Sequence, residues 1–129
     1  MKICGITSPG AIDAAVGAGA TYGGLVFHAK SPRFVAFEQA RALAQHMRGR
    51  LKIVALIADM DDAEVEALVN GVRPDLLQLH GGESAKRTVD IRSRFALPVI
   101  KALAVATPCW PAPVSAMMRV LPMRRASRI

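Results

Sequence analysis

An α/β fold built from parallel strands is the class this sequence predicts, on three observations. Short apolar runs such as Gly23 to Phe27, Lys52 to Ala58 and Pro98 to Leu103 alternate strictly with segments whose apolar residues recur at helical spacing. The joints between them are a few residues long and carry glycine, proline or helix-capping residues. Unbroken strand–helix alternation with short connections implies right-handed crossovers and parallel strands.

Taken in order, Met1 to Cys4 is the first strand, stopped by Gly5 and by Thr7-Ser8-Pro9. Pro9 suits the first turn of a helix, and Ala11, Ile12, Ala15 and Val16 follow at helical spacing up to Gly17-Ala18-Gly19. Gly23 to Phe27 is the second strand. The loop His28-Ala29-Lys30-Ser31-Pro32-Arg33 follows, then a helix from about Phe37 to Arg48 with Ala40, Leu43, Ala44 and Met47 on its apolar face. Lys52 to Ala58 is the third strand. Asp61 or Asp62 caps a third helix whose Val65, Leu68 and Val69 face inward, and Gly71 is expected to end it. Pro74 leads into a fourth strand, Asp75 to Leu79; Ser84 caps a helix running to about Phe95, and Pro98 to Leu103 is the fifth strand.

Two architectures satisfy this pattern: a closed barrel of eight units, or an open doubly wound sheet of five strands. In both, function lies at the carboxyl ends of the strands. Those ends are Cys4, the loop after Phe27, Asp59, His80 and the segment after Lys101. Alternation puts Lys2 and Cys4 on one face of the first strand, and Gln78 and His80 on one face of the fourth, with Leu77 and Leu79 opposite. Polar groups converging inside a buried sheet are costly unless they pair or meet a ligand, which favours a barrel mouth.

Composition bounds the function. At 129 residues and 52% hydrophobic, the chain suits one domain with a core. Cys4 and Cys109 lie far apart without metal-ligand spacing, so neither a disulfide framework nor a zinc site is expected, and a reducing cytoplasm fits. No run approaches the roughly 18 apolar residues that cross a bilayer, and Lys2 is followed almost at once by Gly5 and Ser8-Pro9, unlike a secretion signal. A soluble, cytoplasmic protein without membrane contact is the expectation. The net charge of +7 is uneven: residues 1–107 carry 13 Lys and Arg against 10 acids, whereas residues 108–129 carry four arginines and no acid. A solvated basic end explains that better than nucleic-acid binding, since no aromatic residues interleave with the arginines.

The stretch Gln78-Leu79-His80-Gly81-Gly82-Glu83-Ser84 compresses a strand end, a loop and a helix cap into seven residues. His80 can be a structural imidazole or a ligand-facing one. Cys4 can be a small buried hydrophobe or a base, since a thiol titrates near roughly 8.5 and a same-face Lys2 favours the thiolate. Arg33 can be solvated or can grip a carboxylate through its planar fork. In the doubly wound alternative, Gly81-Gly82 and the following helix start would cradle an anion.

Together these residues carry a resemblance. Lys2-Ile3-Cys4-Gly5-Ile6-Thr7, Gly24-Leu25-Val26-Phe27 with Lys30-Ser31-Pro32-Arg33, Asp75-Leu76-Leu77-Gln78-Leu79-His80-Gly81, and Pro98-Val99-Ile100-Lys101-Ala102 resemble phosphoribosylanthranilate isomerases in order and spacing, over residues 1–107. The resemblance implies a (β/α)8 TIM barrel. It also implies the Amadori rearrangement of N-(5-phosphoribosyl)anthranilate to 1-(2-carboxyphenylamino)-1-deoxyribulose 5-phosphate, in tryptophan biosynthesis. By it Cys4 matches the general base that takes the C2 proton, and Arg33 matches the arginine on the anthranilate carboxylate. Gln78 and His80 match substrate-binding residues at the mouth. No metal or cofactor is implied.

The chain departs from that family after Ala106-Thr107. It holds the first four βα units and the fifth strand, whereas a closed barrel needs roughly 200 residues or more. Residues 108–129, opening with Pro108, Pro111 and Pro113, read as a separate irregular Pro/Arg-rich tail. The family's catalytic aspartate and late phosphate-binding loops lie beyond this point, and no Asp or Glu follows Asp90. The expectation is a truncated product, with a frameshift near codon 108, impaired or inactive as an isomerase. The alternative is a non-enzymatic half-barrel that associates with itself or another chain through unpaired edges at the first and fifth strands.

Overall fold

A computed structural model describes residues 1–103 and the backbone of residues 117–120. The elements are β1 (Lys2–Cys4), α1 (Pro9–Gly17), β2 (Tyr22–Val26), α2 (Phe37–Met47), β3 (Lys52–Ile57), α3 (Asp62–Val72), β4 (Leu76–Leu79), α4 (Ala85–Phe95), β5 (Val99–Leu103) and β6 (Met117–Val120).

Local chemistry explains the helix starts. The Ser8 hydroxyl accepts from the Ala11 N–H at 3.2 Å with Pro9 in the first turn, and the Ser84 hydroxyl accepts from Arg87 N–H at 3.1 Å. Asp61, not Asp62, caps α3, in a reciprocal box: its carboxylate accepts from Glu64 N–H at 2.8 Å while the Glu64 carboxylate accepts from Asp61 N–H at 3.0 Å. The expected stop at Gly71 is corrected. The helix runs on to Val72, and the left-handed residue that ends it is Arg73, with φ of 53°. Gly71 serves packing instead, because a Cβ there would lie 2.2 Å from the Phe37 ring of α2.

β1 to β5 pair in parallel in strict sequence order, with registers such as Cys4↔Gly24, Val26↔Leu56, Leu56↔Gln78 and Leu79↔Lys101. A doubly wound sheet reverses its strand order to put helices on both faces. Uninterrupted order keeps every right-handed crossover on one face, so the open-sheet alternative is excluded and the architecture is a half-barrel. Side chains alternate accordingly. Ile53, Ala55, Ile57, Leu77, Leu79 and Val99 point to the helices, in clusters completed by Ile12, Leu43 and Met47 of α1 and α2, and by Val65, Leu68 and Ile91 of α3 and α4. The opposite, concave face carries Cys4, Leu56 and Gln78.

β6 differs from expectation. Met117–Val120 falls in the segment read as irregular, yet its backbone runs antiparallel along β5, pairing Ile100↔Val120 and Leu103↔Met117. The free N–H and C=O groups of an edge strand are satisfied by any extended segment that reaches them, so β5 is not the open edge the sequence led us to expect. Among the described residues β1 pairs on one side only, with β2. The proline run 108–113, Cys109 and the arginines at 124, 125 and 128 lie outside the described residues, as does any test of irregular structure there.

Candidate active site

A cleft of about 540 Å³ opens at the carboxyl ends of the strands, and Cys4, Arg33, Gln78 and His80 all line it, with His28, Ser31, Asp59 and Gly81. Four residues drawn from two strands, β1 and β4, and the loop after β2 therefore meet in one concave space. Cys4 ends β1 half-buried, while Arg33 and His80 are exposed to the cleft. Gln78 is only 2% exposed, and its amide oxygen accepts from the Lys2 ammonium across the concave face. That contact satisfies two polar groups that would otherwise be stranded in the interior.

The Arg33 loop is shaped by its own backbone. Ser31 N–H donates to His28 C=O at 2.9 Å, Phe34 N–H to Ser31 C=O at 3.1 Å, and Val35 N–H to Val26 C=O at 3.0 Å, turning the chain back along β2. The guanidinium then lies over Gly5, where Nη1 donates to the Cys4 carbonyl at 3.4 Å. Gly5 suits the position because its φ is 77°, in the region that favours glycine, and because a Cβ would displace the Arg33 side chain, whose Cδ would lie 2.3 Å away. The loop thus brings a cation beside the thiol-bearing strand end.

The opposite rim is an internal hydrogen-bond network. Glu83 accepts from Asp59 N–H at 2.9 Å on one carboxylate oxygen, and from Gly81 N–H at 3.0 Å and the Lys101 ammonium at 2.7 Å on the other. Lys101 also donates to Gly81 C=O at 2.5 Å, and Asp59 accepts from Gly82 N–H at 2.9 Å. The reading of Gly81-Gly82 as an anion cradle is corrected here, because the chain's own carboxylates occupy both N–H groups. Burial, the largest influence on Glu83, raises its pKa, but the bond from Lys101 and those from backbone N–H groups outweigh it and hold the carboxyl below its ordinary value.

Sequence reasoning noted Asp59 as a strand end and Lys101 as part of a motif, but missed Glu83. The signal was present, since Glu83 lies in the loop after β4 and Lys101, of opposite charge, is on the neighbouring β5 opposite Leu79. Among the described residues no three His, Cys, Asp or Glu side chains are grouped to hold a metal ion. No helix among them is long and apolar enough to cross a membrane.

Parallel strands coiling in sequence order, with a thiol, a guanidinium and an imidazole gathered around a cleft at their carboxyl ends, define a half-barrel of the βα-barrel class. A family model described as N-(5'phosphoribosyl)anthranilate (PRA) isomerase matches residues 1–118, and the chain belongs to that family. An N-(5'-phosphoribosyl)anthranilate isomerase from Bradyrhizobium sp. (strain ORS 278) is 52% identical over 115 residues, covering 89% of this chain and 52% of that protein. The phosphoribosyl anthranilate isomerase structure from Thermus thermophilus superposes with a TM-score of 0.74 at 34% identity, over 85% of this chain and 54% of that one. Another such isomerase, in complex with reduced 1-(o-carboxyphenylamino)-1-deoxyribulose 5-phosphate, gives a TM-score of 0.75 at 30% identity, over 81% of this chain and 53% of that one. The chain spans about half the length of the curated relatives it matches.

Proposed function

We propose that this cleft takes N-(5-phosphoribosyl)anthranilate and that the chain carries the proton-abstracting and carboxylate-binding part of an isomerase site of tryptophan biosynthesis. The observation that carries the reading is the meeting of Cys4, Arg33, Gln78 and His80 in one cleft. The Cys4 thiolate takes the C2 proton of the open-chain imine, and the resulting enolamine tautomerises to the 1-deoxyribulose product. Arg33 holds the anthranilate carboxylate, while Gln78 and His80 line the sugar side. A relative's complex with a reduced product analogue supports a phosphosugar anthranilate as the ligand. A cytoplasmic location suits a biosynthetic enzyme of this kind.

The reaction also needs an acid on the ring oxygen. No Asp or Glu follows Asp90, and Asp59, the carboxylate among the cleft-lining residues, accepts a hydrogen bond from Gly82 N–H. An acid of this type contributes about 10²- to 10⁴-fold, so the 129-residue chain alone is expected to turn over slowly at best. Fluorescence-monitored turnover of freshly made phosphoribosylanthranilate, with a Cys4→Ala control, tests both points. Weak or absent turnover is expected. Near-native turnover that depends on Cys4 would contradict the missing-acid argument, and turnover unchanged in Cys4→Ala would remove the assigned base.

A second reading, in which the half-barrel pairs with itself or another chain, is favoured by β1, which among the described residues pairs on one side only. Sedimentation velocity decides it: a concentration-dependent dimer supports pairing, and a monomer at all concentrations opposes self-association.

A further inference from the structure

We propose that Glu83 and Lys101 are positioning residues for the cleft, holding the ends of β3 and β4 so that the His80 imidazole and the Asp59 carboxylate face a ligand. The pair sits behind the rim: the Glu83 side chain is 4% exposed and that of Lys101 15%. Glu83 cannot itself reach a ligand without giving up its partners, because its two oxygens serve three donors, from the loops after β3 and β4 and from β5. Lys101 spans the same gap from β5, closing on Gly81 C=O and on Glu83. His80 stands between these ties, with its own N–H donating to Ile57 C=O at 2.8 Å.

The arrangement asks for charge as well as shape. Two apolar residues of similar volume can replace many buried ion pairs at little cost. Here such a replacement would leave the N–H groups of Asp59 and Gly81 without the acceptor that ties the two loops together. Asp59 adds a conformational constraint. Its φ of 51° lies in the left-handed region, and Glu83 below and Gly82 above hold it there through its N–H and its carboxylate. Gly81 must lack a Cβ because one would lie 2.6 Å from the Asp59 carboxylate and 2.8 Å from its backbone N. Lys101, Glu83, Gly81 and Asp59 therefore form one unit, and His80 moves with it.

The test compares wild type, Lys101→Met and Lys101→Arg by two readouts. One is the ring-proton resonance of His80 in the ligand-free protein, assigned against His80→Gln among only three histidines. The other is the affinity for anthranilate itself, the probe, followed by its fluorescence. Lys101→Met is expected to shift the His80 resonance and weaken anthranilate binding about tenfold, since small displacements of a binding group cost that much or more, while retaining cooperative melting. Lys101→Arg should recover most of both. If Lys101→Met does not fold, Lys101→Gln, which keeps a donor without the charge, carries the same readouts. An unchanged His80 resonance in a folded Lys101→Met or Lys101→Gln variant, whatever its melting temperature, overturns the proposal. The anthranilate readout rests on the proposed function and the resonance does not: a wild-type protein that ignores anthranilate would count against the isomerase reading while the resonance still decides positioning.

Discussion

The two rims of the cleft are built on opposite principles. On the β1–β2 side, Arg33 is exposed and its guanidinium makes a 3.4 Å contact to the Cys4 carbonyl, above a glycine that leaves it room. On the β3–β5 side, a buried carboxylate gathers two backbone N–H groups and an ammonium between 2.7 and 3.0 Å. A charge meant to bind a ligand must stay available, so it is held lightly. A charge meant to hold others is buried and saturated. On the proposed reading, the difference separates a binding residue, Arg33, from a supporting one, Glu83.

The largest expected effect breaks the saturated rim. Glu83→Ala leaves the Lys101 ammonium without its counter-ion and two N–H groups without their acceptor, and should cost about 3 kcal/mol in denaturant unfolding, as removal of one partner from a buried pair does. Arg33→Ala should change stability by less than about 0.5 kcal/mol, as exposed substitutions do. Equal losses from the two would erase the distinction between the rims.

A glycine pair sharpens it next. Gly81→Ala drives a methyl into the backbone of Asp59 and should cost about 1 to 3 kcal/mol, whereas an alanine at Gly82 would meet its nearest neighbour, Asp59, at an ordinary 3.7 Å. Thermal melts of the two variants should therefore separate by several degrees. Similar melts would mean that the Asp59 turn yields more easily than its hydrogen bonds imply.

The smallest effect is a pH dependence. Because the folded Glu83 carboxyl lies below its ordinary 4.5, its contribution is present above about that pH and is lost as pH falls through the lower folded value. Asp13, lowered by Arg50 and His46, and Asp62, lowered chiefly by Arg87, change in the same direction from exposed positions. The difference between wild type and Lys101→Met isolates Glu83. Acid unfolding curves that coincide after normalisation to neutral pH would show that Lys101 does not stabilise the ionised form.

Much of this was legible in the sequence, for reasons visible in particular residues. Ser8-Pro9, Ser84 and the aspartates before α3 predict helix starts because capping is local chemistry. The convergence of Cys4, Gln78 and His80 follows from alternation along parallel strands. Gly71 was misread because a glycine near a helix end has two uses, and its tertiary neighbour Phe37 lies 34 positions away. The Glu83 network was missed because its partners, Asp59 and Lys101, are distant in sequence and meet only once β3, β4 and β5 are side by side. β6 was missed because its reason for being a strand is the edge of β5 and not its own pattern.

The central assignment is that the lightly held Arg33 and the thiol beside it face a carboxylated aromatic ligand. Calorimetric titration of wild type and Arg33→Ala with a reduced product analogue tests it most directly, with circular dichroism to establish that both are folded. Binding by wild type that weakens by about 1.5 to 3 kcal/mol in a folded Arg33→Ala protein is the expected result, the size of one charged hydrogen-bonding partner. Equal affinity in the two folded proteins would contradict it.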